Sequence, residues 1–237
     1  MKKSIGILGG MGPLATADLF RKIVLMTDAA CDNDHIRIYI DDNSSIPDRT
    51  AAILQNGVDP VHAMTDSLQK LIACGAGCIV MPCNTAHYFL PRLQAQTTIP
   101  FLSMLEATAT ACREKFPGKT AAILATKGTL AANLYQQALS GQNVPFVVPD
   151  DAQQDALMRI IYDGVKAGKS PDFYRIDMES VLTALTQRGA DYFILGCTEL
   201  PLAAAALRLP SPTVDPTEEL ARAAIRFCGY REKGNVE

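Results

Sequence analysis

The chain has 237 residues, enough for one large domain or two of about 100 residues each. Hydrophobic residues make up 48% and charged residues 20%, so a substantial core can form and wholesale disorder is excluded. A net charge of −3 and an isoelectric point near 5.7 give no reason to expect nucleic acid or an anionic membrane as partner.

Strand-like and helix-like segments alternate from the start. Ser4–Gly9 is a short apolar run closed by glycines, and Ala15–Met26 suits a helix. Ile36–Ile40 is β-branched and aromatic, and Asp41–Thr50 is polar with a proline. Pro60 opens a helix whose apolar face is Val61, Met64, Leu68, Leu71 and Ile72, a 3.6-residue period, with Gly75 in the C′ position that glycine favours. Cys78–Pro82 is the next buried-strand candidate. Near the end, Pro212–Val214 is expected as a short strand, and Asp215 or Thr217 as the cap of a helix over Glu218–Cys228. Such βα alternation predicts an α/β fold with mostly parallel sheets flanked by helices.

The second half repeats the first. "KSIGILGGMGPLA" at 3–15 aligns with "KTAAILATKGTLA" at 119–131 with six of thirteen positions identical, at an offset of 116. "GAGCIVMPCNT" at 75–85 aligns with "GADYFILGCTE" at 189–199 at an offset of 114, which puts Cys83 on Cys197. Two matches at nearly one offset predict two pseudo-symmetric α/β domains with a cleft between them. The expected division is residues 1–103 and 104–208, with 209–237 packing back on the first half.

The basic start, apolar stretch and A-T-A trio of the N-terminus superficially resemble a signal peptide, but Gly9, Gly10, Gly12 and Pro13 interrupt it. No apolar run approaches the roughly 18 residues of a membrane helix, so a soluble cytoplasmic protein is expected. Seven cysteines (31, 74, 78, 83, 112, 197 and 228) are an odd number without regular spacing, which points to reduced thiols rather than a disulfide framework. Cys74 and Cys78 have no further Cys or His at ligand spacing, and no metal is expected.

Ligands of open parallel sheets collect outside the carboxyl ends of the strands. Gly9–Pro13, Thr126–Thr129 and the two cysteine segments are expected there. Each thiol would then sit just ahead of a helix N-terminus, whose positive end should lower its pKa. The polar groups of Asn84, Thr85 and Thr198 could bind a carboxylate, and the loop at Gly10 and Met11 could bring backbone N–H groups to a small anion. Arg49 and Lys166, 117 residues apart, could supply one cation from each half. His87 could be a base paired with Cys83 or a helix-start residue, while Cys31, Cys74, Cys78, Cys112 and Cys228 read as packing residues. A Ser-His-Asp hydrolase is disfavoured because no G-x-S-x-G elbow is present.

"GILGGMGPLAT", "IPDRT", "MPCNTAH" and "LGCTEL" together resemble the aspartate/glutamate racemase superfamily, and within it the aspartate racemase branch. The resemblance implies racemisation without pyridoxal phosphate, metal or other cofactor, in a protein commonly dimeric. It carries the two acid/base roles to Cys83 and Cys197, and carboxylate binding to Arg49 and Lys166. Asn84, Thr85 and Thr198 become substrate-binding positions, with Gly10, Met11 and Thr126 on the loops beside them. Two departures from glutamate racemases favour the aspartate branch: "GGMGP" replaces their "DSGxGG", and "GCTE" replaces their "GCTH", so Glu199 stands where a histidine would. The implied substrate is a small dicarboxylic amino acid, aspartate first, with glutamate or a wider range as the alternative. A diacid lyase or isomerase of the superfamily, and a non-catalytic two-lobed amino-acid sensor, are the competing readings.

Overall fold

The computed structural model describes residues 2–209 and 212–233. In chain order the elements are β1 (Ile5–Gly9), α1 (Pro13–Met26), β2 (Ile38–Asp42), α2 (Arg49–Leu54), α3 (Val61–Ala73), β3 (Cys78–Val80), α4 (Leu90–Gln94), β4 (Phe101–Leu102) and α5 (Met104–Lys115). They continue as β5 (Ala121–Ala125), α6 (Lys127–Ala131), α7 (Leu134–Gly141), β6 (Phe146–Val147), α8 (Asp151–Met158), α9 (Arg175–Gln187), β7 (Tyr192–Gly196), α10 (Leu200–Leu207), β8 (Thr213–Val214) and α11 (Pro216–Phe227). The chain divides into two compact units, one formed by the described residues up to Ala107 with those from Thr217 onward, the other by Thr108–Pro216. The division falls inside α5.

The first unit is a four-stranded parallel sheet in the order β2-β1-β3-β4, with Ile5 in register with both Ile38 and Cys78. All five residues of β1 are buried, as expected of a central strand covered on both faces. Alternation sends Ile5 and Ile7 to one face, where they join Leu19 and Ile23 of α1 and Leu220, Ala224 and Ile225 of α11. Leu8 turns to the opposite face and joins Met64, Leu68 and Leu71 of α3. Each such Leu or Met, fully buried, contributes about 1.5–3 kcal/mol of transfer free energy.

The second unit repeats this plan with another four-stranded parallel sheet, in the order β6-β5-β7-β8. Leu124, Phe193 and Leu195 cover one face with Leu157, Met178, Val181 and Leu185. Phe116 stacks on Tyr192 with ring centroids 4.2 Å apart. An α/β fold of two similar parallel sheets, expected from the internal repeat, is therefore what the chain adopts.

The repeated Gly-Ala pair has a local explanation. Gly75 lies at φ +87° after α3, with its N–H donating to Ile72 O and that of Ala76 donating to Leu71 O. Gly189 lies at φ +94° after α9, with the matching bonds Gly189 N–H to Thr186 O and Ala190 N–H to Leu185 O. Both are Schellman closures, which need a left-handed residue and then return the chain into the next strand. Helix α1 starts two residues before the expected Ala15, because Pro13 presets φ at its first position. The strand expected over Cys78–Pro82 ends at Val80, and the residues beyond it form the site described next.

Candidate active site

In each sheet the chain leaves the two central strands in opposite directions. Their carboxyl ends thereby flank the crevice in which open α/β sheets bind ligands. In the first unit those ends lead into Gly10–Met11 after β1 and Met81–Thr85 after β3. In the second they lead into Thr126 after β5 and Cys197–Glu199 after β7. Cys83 and Cys197 thus occupy corresponding positions, past the ends of the third strands of two equivalent sheets.

Cys83 is held by a tight turn around Pro82, its N–H donating to Met81 O at 2.8 Å. That i to i+2 bond is a γ-turn, compact enough to end the strand abruptly. Asn84 and Thr85 follow, both buried, at the start of a 3-10 turn over Thr85–Phe89. His87, in the same turn, lies 2.9 Å through Nδ1 from Cys83 O, and its Nε2 accepts the N–H of Met104 at 3.0 Å. Burial pushes the His87 pKa down to about 4, so the ring is neutral at physiological pH. With both ring nitrogens engaged by backbone, His87 anchors the Cys83 segment to the start of α5 and is not poised as a base.

Gly10 sits at φ +87°, and a Cβ there would come within 2.2 Å of the Asn43 backbone. Its N–H donates to Thr16 Oγ1 at 2.9 Å, so this donor is spent inside the fold rather than offered to an anion. The Met11 side chain is buried in the cluster that includes Ile46 and Cys83. Arg49 is itself buried: Nη1 donates to Ile46 O at 3.2 Å and Pro47 O at 3.0 Å, and Nη2 donates to Met11 O at 3.1 Å. Its planar fork therefore clamps the loop after β2 to the loop after β1. Asn43 supports the same region, donating to Ser67 Oγ at 3.0 Å and accepting from Ser45 N–H at 3.2 Å.

In the second unit Thr126 caps α6, its Oγ1 accepting from Thr129 N–H at 3.3 Å and lying 3.0 Å from Thr129 Oγ1. Gln154 Nε2 donates to Ala125 O at 2.9 Å and secures the end of β5. Cys197 Sγ donates to Glu199 Oε2 at 2.9 Å, and Thr198 Oγ1 donates to the same oxygen at 3.3 Å. Lys166 Nζ stands 3.8 Å from Glu199 Oε1 and 4.3 Å from the centroid of the Tyr162 ring. Lys166 follows a π-helical turn over Arg159–Val165, a geometry that recurs at functional sites.

The electrostatics of Cys197 run against the expectation from helix dipoles. Burial, and then the Glu199 carboxylate, push its thiol well above the ordinary range, and Lys166 offsets this only in part. The backbone N–H of Glu199, at the N-cap of α10, does favour the thiolate, but burial and the carboxylate outweigh it.

The remaining thiols divide by environment. Cys78, Cys112 and Cys228 are fully buried, with Cys78 Sγ 3.7 Å from Cys228 Sγ. Cys31 and Cys74 are exposed, which corrects the packing role expected of them. Cys83 and Cys197 are buried as well, with 7% and 8% of the residue surface exposed. Sequence reasoning left Glu199 and Gln154 without a role. "GCTE" displayed the first, but nothing local marked the second. Among the described residues no cluster of three or more His, Cys, Asp or Glu could hold a metal, and no helix is long and apolar enough to cross a membrane.

Two α/β units, each with a parallel sheet and a cysteine just past its third strand, repeat one plan within a single chain. The Asp/Glu/Hydantoin racemase family profile matches residues 8–224, and the chain belongs to that family of racemases. Its sequence is 28% identical over 227 residues to the broad-specificity amino-acid racemase RacX of Bacillus subtilis, covering 93% of this chain and 96% of that protein. The structure superposes on Picrophilus torridus aspartate racemase with a TM-score of 0.83 and 32% identity, covering 98% of this chain and 96% of that one. Glutamate racemase of Francisella tularensis shares the fold, with a TM-score of 0.69 at 16% identity over 95% of this chain and 81% of that one.

Proposed function

We propose that the protein interconverts L- and D-aspartate by moving the α-proton between two thiols, Cys83 and Cys197. The observation that carries this reading is their equivalent placement: each buried thiol lies just past the third strand of its own sheet. Inverting an α-carbon requires removing a proton from one face and delivering one to the other. Two acid/base groups achieve this without turning the substrate over, and thiols can serve as both acid and base near neutral pH. The route uses the chain's own side chains and no added cofactor.

Donors to the α-carboxylate would offset the charge that builds on the carbanion-like centre. Asn84 and Thr85 in the first unit, and Thr198, Thr126 and Lys166 in the second, are the proposed contacts. Gly10 and Met11 would shape the approach to Cys83, and Arg49 would hold that loop while adding its positive charge to the site. Aspartate is favoured by the 32% identity to the Picrophilus protein named aspartate racemase. A broader amino-acid range is the second reading, favoured by the near full-length match to RacX.

The test is α-proton exchange. Each L-amino acid, beginning with aspartate and glutamate, is incubated with the protein in D₂O without cofactor, and products are resolved on a chiral column. Aspartate is expected to acquire deuterium in the newly formed D enantiomer before the remaining L substrate does. If no amino acid in the panel is labelled or inverted, the racemase reading fails; inversion of many amino acids at similar rates replaces aspartate with the broad-range reading.

A further inference from the structure

We infer that Glu199 keeps the proton on Cys197 in the resting enzyme, so that Cys197 enters turnover as the acid for the enantiomer whose Cα–H faces Cys83, the roles exchanging for the other enantiomer. This rests on the racemase reading above and assigns unequal resting states to thiols that the fold places equivalently. The 2.9 Å separation of Cys197 Sγ and Glu199 Oε2 equals an ordinary N–H···O distance, although sulfur is the larger atom. In this bond sulfur is the donor and the carboxylate oxygen the acceptor. Thr198 Oγ1 donates to the same oxygen and the Lys166 ammonium stands 3.8 Å from the other, so two donors and one cation converge on one buried side chain.

Glu199 opposes a thiolate at Cys197, Lys166 favours one from farther off, and the buried phenol of Tyr135, packed against Gly196, is held neutral by its own burial. Ionising Cys197 would place two negative charges side by side in a buried loop. The aligned segments show why the arrangement is one-sided: Cys83 is followed by Asn84 and Thr85, whereas Cys197 is followed by Thr198 and Glu199. Thr85 stands where the second unit has its carboxylate.

In the step that uses the dyad, the electron pair of the α-carbanion forms the new Cα–H bond. The Cys197 S–H bond breaks and sulfur keeps its pair as thiolate. That thiolate, beside Glu199, is the less stable form and is reprotonated from water as Cys83 loses the proton it took. Glu199 is thus a positioning residue for the reacting sulfur rather than a group that touches substrate.

The experiment is site-resolved alkylation by iodoacetamide, read by mass spectrometry across pH 6–11 on the full chain, beside racemisation profiles over the same range. In the wild-type protein the midpoint for Cys197 should lie above the ordinary thiol value of about 8.5. Glu199→Gln keeps the shape and an acceptor oxygen but removes the charge. It should lower the midpoint by about one pH unit, a roughly tenfold faster labelling at pH 7.5, and move the alkaline limb of kcat/KM to lower pH. Glu199→Asp, which withdraws the carboxylate by one methylene, should shift both the same way by less. A wild-type midpoint at or below about 8.5 overturns the proposal, and so does an unmoved or raised midpoint in a folded Glu199→Gln protein. If the midpoints behave as expected but the wild type inverts no amino acid, the dyad stands and the racemase reading falls.

Discussion

The backbone N–H of Met104 donates to Nε2 of His87 at 3.0 Å, and this bond fixes the tautomer of the ring. Nε2 must present its lone pair, so the ring proton sits on Nδ1 and is donated to Cys83 O at 2.9 Å. Protonating Nε2 would set an N–H against the N–H of Met104.

A pH dependence of stability follows. The folded pKa of His87, about 4, lies below the unfolded value of about 6.5. Below pH 6.5 the unfolded chain takes up a proton that the folded one refuses, so stability is full above that pH and is lost as pH falls toward 4. The contribution is about 3 kcal/mol across the window. His87→Gln should lower stability at pH 8 but flatten its fall between pH 6.5 and 4, measured by urea unfolding at each pH. An equally steep fall in the variant would count against His87 as the source.

Gly10→Ala should be strongly destabilising. The backbone is at φ +87°, and the added Cβ would meet Asn43 backbone atoms at 2.2 and 2.3 Å, which no side-chain rotation relieves. Left-handed strain alone costs about 1–3 kcal/mol. A melting temperature within a degree or two of wild type would contradict this account of the loop.

Arg49→Lys preserves charge but not the fork that reaches Ile46, Pro47 and Met11 carbonyls together. Losing two of these charge-assisted bonds should cost about 3–6 kcal/mol. Thermal unfolding checks the stability effect, and KM measured separately tests whether the same cation also grips substrate. A fully stable variant with a raised KM would assign Arg49 to the substrate rather than to the loops.

Cys83→Ser and Cys197→Ser should each reduce racemisation by about 10²–10⁴-fold while leaving the fold intact, since positioned acid/base groups contribute on that scale. Circular dichroism and the chiral assay together provide the measurement. One fully active serine variant would reduce the mechanism to a single thiol.

The α/β class was legible in the sequence because its determinants are local and periodic. Strand β1 is an apolar run buried on both faces, and α3 carries Val61, Met64, Leu68 and Leu71 at helical spacing, all buried. The Gly-Ala pairs at Gly75 and Gly189 repeat because each closes a helix through the same left-handed bond pattern. Composition and period alone thus determined two βα repeats with a cysteine at matching strand ends.

Only the tertiary structure decided what the polar groups do. Arg49 meets Met11 across 38 positions and Gln154 meets Ala125 across 29, separations that no local pattern encodes. Lys166 reaches the Glu199 carboxylate from a different helix, and the Cys197 thiol is raised by burial that only the packed unit supplies. A side chain's chemistry is written in the sequence, but its protonation and its partners depend on which groups packing brings within hydrogen-bond distance and how much water it removes.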